Sequence, residues 1–324
     1  MAAIAEPEGF SQYGRPAPIT RIFGWATLAL IAAFLINNVL TVAYDFPGVL
    51  NGDPIQLGIY LIAIAIAVAF VLRTPDRALR WDARTISNMN AYLIRSCFFA
   101  VLFVGIADAL IAFLRVENLL VVFVSEQLAK ELIRSQFVGP YVHVPMIILG
   151  FFVACFTRSL GFIWLALLIV IAELLIVISR FVFSYEQALM GDLVRYWYAA
   201  LFLFSSAYTL LEEGHVRVDV LYAGFNPRRK GRVNAIGSIF LGMTTCWSII
   251  IMGMASKTSI VNSPIANFEV SQTGSAGMYI KYQMAAFLAI FAITMLIQFV
   301  SYLFEAVADA RGEPGKREIA PVSH

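Results

Sequence analysis

Two uninterrupted apolar runs decide what this chain can fold into. Ile22 to Tyr44 and Ile55 to Leu72 contain no charged residue. About 20 such residues, rising 1.5 Å each, cross the hydrocarbon core of a bilayer. The apolar residues come in long runs rather than alternating stripes. With 60% hydrophobic residues, 14% charged residues and 26 Phe among 324, the chain has more apolar surface than a soluble core could hide. The reading is an all-α, polytopic membrane helical bundle.

Eight spans are predicted, at 22–44, 55–72, 92–114, 141–157, 160–179, 193–211, 233–256 and 280–304. The fourth and fifth meet at TRSLG, Thr157 to Gly161, either a tight turn between two helices or part of one long tilted helix. Residues 73–91 read as a basic inner linker. Residues 119–137 start apolar and turn mixed, with Leu128, Leu132 and Ile133 at helical spacing. They predict an interfacial amphipathic helix, with a short ninth dip into the membrane as the rival.

Placing the N-terminus inside puts 16 of the 23 Lys and Arg residues on the cytoplasmic face. That asymmetry predicts both termini in the cytoplasm, with residues 1–21 and 308–324 as tails. The first 20 residues lack a basic start and apolar core, so the first span is expected to be retained rather than cleaved. Cys97, Cys155 and Cys246 all fall inside predicted spans and read as small apolar fillers.

Against this background EEGHVRVD, Glu212 to Asp219, is anomalous. Gly214 can stop the sixth span. His215, Arg217 and Asp219 then alternate with valines, as on an extended segment with one polar face. The PRRKGR run that follows should attract anionic membrane lipid.

SRFVF at 179–183, followed by GHVRVDVLY at 214–222, resembles the small membrane subunit of tripartite ATP-independent periplasmic (TRAP) transporters, the DctQ-type family. Arg180, Phe181 and Phe183 match its first element; Gly214, His215, Arg217 and Asp219 match its second; QFVSYLFEAV, Gln298 to Val307, is similar to the end of its last helix. The resemblance covers roughly residues 160–307. It makes 158–307 a DctQ-like four-helix domain and 22–157 an N-terminal membrane extension of about four spans, an enlarged form of the family. Two departures stand out. Met190, Gly191 and Asp192 replace the family's Trp and Glu, moving the aromatic anchor to Tyr196 and Trp197. A proline common near the start of the last helix is absent around Met278 to Met284.

The resemblance implies a scaffold for a large membrane subunit that helps dock a periplasmic solute-binding protein, in the bacterial inner membrane, for uptake of an organic acid or similar anion. The alternative is a related chain reused as an accessory subunit of another membrane assembly. No enzyme is expected. His143, His215 and His324 are the only histidines, and no C-x-x-C, phosphate loop or nucleophile elbow occurs. No catalytic, cofactor or metal residue and no nucleic-acid partner is therefore anticipated. Asp108 and Glu173 sit inside spans, where a charge is costly and normally faces a partner or cavity. Each reads as a contact with a partner in the membrane, as an ion site, or as a buried packing contact. Glu126, Lys130, Glu131, Lys257 and Glu269 lie in loops assigned to the outer face and are the candidates for docking the binding protein.

Overall fold

The computed structural model describes residues 9–47, 53–158, 162–212, 220–270 and 276–316. Among these residues twelve helices follow one another: α1 Pro18–Tyr44, α2 Pro54–Arg73, α3 Leu79–Val116, α4 Leu120–Phe123, α5 Glu126–Glu131 and α6 Ser135–Phe156; then α7 Phe162–Val182, α8 Ala188–Leu211, α9 Val220–Ala223, α10 Pro227–Gly253, α11 Asn262–Ala266 and α12 Lys281–Arg311. Among the described residues the only pairing of extended chain is an isolated bridge, Tyr13 with Arg77. The protein is an all-α, multi-pass membrane protein.

Among the described residues seven helices, α1, α2, α3, α6, α7, α10 and α12, are long and apolar enough to cross a membrane. They take up seven of the eight predicted spans. The remaining one, 193–211, lies in the 24-residue α8. That helix is long enough, but Asp192, Arg195, three tyrosines and the Ser205–Ser206 pair make it less apolar than the rest.

Local chemistry sets the helix ends. Asp53 caps α2 by accepting the Ile55 N–H at 2.9 Å, with Pro54 at the first helical position and Arg73 in the last turn. Asn226 and Pro227 start α10 in the same way, Asn226 accepting from the Arg229 N–H at 2.8 Å. In α6, Pro140 and Pro145 remove two backbone donors, and the helix widens into a π turn over Gly139–His143. Its last residue is Phe156. Thr157 is extended, which excludes one continuous helix from α6 into α7; Ser159–Gly161 lie outside the described residues.

Two expectations need correction. Residues 79–91 are no linker; they form the first third of the 38-residue α3. At about 57 Å that helix exceeds the roughly 30 Å hydrocarbon core, so its polar N-terminal part needs no lipid. The 119–137 segment is helical in three short pieces rather than one. Asn118 turns left-handed (φ 57°) after α3, and Ser125 starts a new helix by accepting the Leu128 N–H. Leu120, Ala129, Leu132 and Val138 bury against Tyr279, whereas Leu128 and Ile133 stay exposed.

The chain divides into two compact units. One comprises Met1–Asn90, Ala207–Lys257 and Ala292–His324, the other Ala91–Ser206 and Thr258–Phe291.

In the first unit, polar side chains of α3 meet the C-terminal part of α12 in antiparallel register. Asn90 donates to Thr294 O at 2.9 Å, Ser87 pairs with Ser301 at 2.8 Å, and Arg80 reaches Asp309 at 2.8 Å and Glu305. Arg21 on α1 and Asp82 on α3 form a fully buried ion pair at 2.7 Å, and Trp25 donates to the same carboxylate at 3.0 Å. The α1–α2 pair is tied by Asn37 to Gln56 O (3.1 Å) and by Gln56 to Thr41 (2.9 Å).

Helix α10 comes so close to α12 that a Cβ on Gly231 would lie 2.5 Å from Ala310 N and 2.6 Å from Ala306 O. Backbone cannot yield there, and small residues at such crossings are how membrane helices gain packing energy. Gly231→Val should therefore destabilise the purified protein by about 2 kcal/mol, the scale of overpacking a filled contact. Gly237→Ala, with nothing within 4 Å of the new methyl, should be neutral or stabilising. Thermal unfolding of both variants in mild detergent checks the contrast.

Candidate functional site

A buried polar cluster of the second unit lies where chain enters α12. Residues 277–280 precede that helix in non-helical backbone, so their N–H and C=O groups need partners from elsewhere. Asp192 of α8 accepts the Met278 N–H at 3.1 Å, and Asp108 of α3 accepts the Tyr279 N–H at 2.6 Å. Two carboxylates from two helices thus hold consecutive amides at a helix N-terminus, where negative charge is favoured. Arg115 donates to Gly277 O and lies over the Tyr279 ring, 4.1 Å from its centroid. The Tyr279 hydroxyl donates to Ile133 O at 2.6 Å.

A hydrogen-bonded chain continues inward. Tyr196 donates to Gln283 Oε1, and Gln283 Nε2 donates to the Tyr282 hydroxyl at 3.1 Å. The Tyr282 proton is then left for His143 Nδ1, 2.7 Å away. This places the imidazole proton on Nε2, which faces Asp108 Oδ1 at 3.3 Å; both side chains are fully buried. Neither atom has a hydrogen-bond partner among the described residues, so each has only the other to offset its loss of water. A cluster this enclosed acts as a clamp on the entry to α12.

The predicted site residues fall into different settings. Asp108 belongs to this clamp, so of its readings the packing contact matches its surroundings. Glu173 stands exposed on α7. Arg180 pairs with Glu186 at 3.6 Å, both largely exposed, and Phe183 is exposed just beyond α7. Gly214, His215, Arg217 and Asp219 lie outside the described residues. In the second unit Glu126 pairs with Lys130 at 3.8 Å, Glu131 with Arg134 at 3.2 Å, and Glu269 with Lys281. In the first unit Lys257 pairs with Asp45 at 2.7 Å. Tyr185, between α7 and α8, donates to Glu117, which holds its phenol above the usual tyrosine range.

Tyr196 and Trp197 are not interfacial anchors. Both are buried, and Trp197 donates to Val101 O at 3.3 Å. Arg115, Tyr279, Tyr282 and Gln283 escape sequence reasoning; the one trace they leave is the polar cluster YIKYQ opening an otherwise apolar helix.

Removing either clamp carboxylate leaves a buried N–H without its acceptor. Asp108→Ala and Asp192→Ala should each cost about 2–4 kcal/mol. Arg195→Ala, which removes the mostly exposed partner of Asp192, should cost below about 1 kcal/mol. Denaturant or thermal unfolding in detergent ranks the three.

Comparison with known proteins adds one finding. Residues 166–309 match the family model of the DctQ component of tripartite ATP-independent periplasmic transporters. The match starts within α7, ends within α12, and covers somewhat under half of the chain; α1 to α6 precede it. No curated protein and no solved structure matches significantly. The matched segment coincides with the stretch whose SRFVF and GHVRVD elements resemble that family. Residues 166–309 are thus similar to the DctQ component of tripartite ATP-independent periplasmic transporters.

Proposed function

We propose that this chain is the small permease subunit of a TRAP-type secondary transporter in a bacterial inner membrane. It braces the large membrane subunit and helps a periplasmic solute-binding protein dock, for uptake of an organic acid or similar anion. The match over residues 166–309 carries this reading. The clamp around α12 supports a bracing role, because its polar groups are spent on holding helices rather than offered to a solute.

Both termini lie in the cytoplasm on this reading, following the split of basic residues. Single cysteines test it in a background without Cys97, Cys155 and Cys246. Ala266→Cys, exposed on α11, should react with an impermeant reagent in intact cells. Ser323→Cys should react only after lysis. The reverse pattern overturns the orientation.

Docking draws on the charges at 126–134, 257 and 269. They already pair within their own units, but exposed pairs contribute little to stability, which leaves them free to meet a partner. Glu269→Lys, or Glu126→Lys with Glu131→Lys, should therefore leave the membrane complex intact. Either should lower transport several-fold at limiting binding protein, and excess binding protein should restore much of the rate. Normal transport at every concentration removes these loops from the docking surface.

A further inference from the structure

Helix α7 stands apart in its exposure. Only 11% of its span is buried, against 44% for α3 and for α12. Among its described residues Leu165, Ile169 and Ala172 are buried. At the midpoint stands Glu173, twelfth of 21 residues, about 16 Å from the start of a helix about 31 Å long. A helix of that length spanning the roughly 30 Å hydrocarbon core puts its midpoint near the centre of the layer. The side chain is exposed, and among the described residues no hydrogen bond or ion pair reaches it.

A carboxylate cannot stay there against acyl chains alone. Charged groups at mid-depth cost several kcal/mol and are found facing protein or water. The surroundings of Glu173 have the shape of a helix-packing seam. Ala166, Val170, Glu173, Val177 and Arg180 recur at alternating intervals of four and three residues, the spacing of one face laid against a second helix. Ala and Val keep this flank low, while bulky Trp164, Leu167, Leu174 and Phe181 lie off it.

We propose that this flank of α7 binds the large membrane subunit, which meets Glu173 with a cationic or hydrogen-bond-donating side chain at mid-membrane depth. The proposal rests on the functional reading above and adds the surface and its chemistry. Charge selects the occupant. Lipid tails carry no donor. A second copy in parallel, symmetric register would set Glu173 against Glu173, and Arg180 lies about 10 Å along the axis, out of reach.

The test uses the full chain coexpressed with its tagged large subunit and extracted in mild detergent. Glu173→Leu should reduce the chain recovered with the large subunit at least five-fold. Glu173→Gln, which keeps an acceptor, should stay within two-fold. A photoreactive residue at Val177, with Glu173 intact, should form its adduct with the large subunit. Should Glu173→Leu fail to accumulate, the Val177 adduct decides alone. Undiminished recovery of Glu173→Leu, or an adduct with lipid or a second copy instead, overturns the proposal while leaving the functional reading in place. If the unaltered chain brings down no large subunit, the functional reading itself fails, and this occupant with it.

Discussion

A charge removed from water has to be met by another group, and in this protein the partner usually sits on a different helix. The Asp108 carboxylate shows the rule most fully. It accepts the Tyr279 amide and faces the His143 ring, so α3, α6 and the entry to α12 are joined through one side chain. Asp192 does the same for Met278 from α8. Because lipid offers no competing donors or acceptors, such contacts fix helix position in a way that apolar packing, which is as good against lipid as against protein, cannot. The Arg21–Asp82 pair plays this part in the first unit.

The spans were legible because hydrocarbon thickness imposes a length on apolar runs, and runs such as 22–44 and 55–72 have nothing else to satisfy. The family resemblance was legible because SRFVF and GHVRVD are dense polar or aromatic signals in a chain otherwise poor in them. Reading failed where polar residues were assumed to sit in water. Arg80, Asp82, Ser87 and Asn90 look like a soluble linker, yet Asp82 is buried against Arg21 of α1, and the other three form one buried face of a helix whose complementary polar stripe lies on α12, over 200 residues later. No local period reveals a match between two distant stripes. Helix α8 illustrates the converse: Tyr196 and Asp192 depress its apolar character, yet both are buried in the clamp.

The family's usual proline near the start of its last helix also finds a physical account. The amides of Met278 and Tyr279 are the groups held by Asp192 and Asp108. A proline at either position would have no N–H to give. The clamp and a proline are thus exclusive at those two residues.

The Arg80 contacts also set a clock. Arg21 and Asp82 are separated by 61 residues, whereas Arg80 and Glu305 are separated by 225. At about 5–20 residues per second of synthesis, the first pair can close within about 3–12 s. Arg80 waits roughly 11–45 s for its carboxylates to leave the ribosome. The growing chain must hold α1, α2 and the start of α3 for that interval with the Arg80 guanidinium still without these carboxylates. The first unit therefore closes only with the last helix made, so a chain cut short before α12 leaves the ribosome with Arg80 still lacking the Glu305 and Asp309 carboxylates.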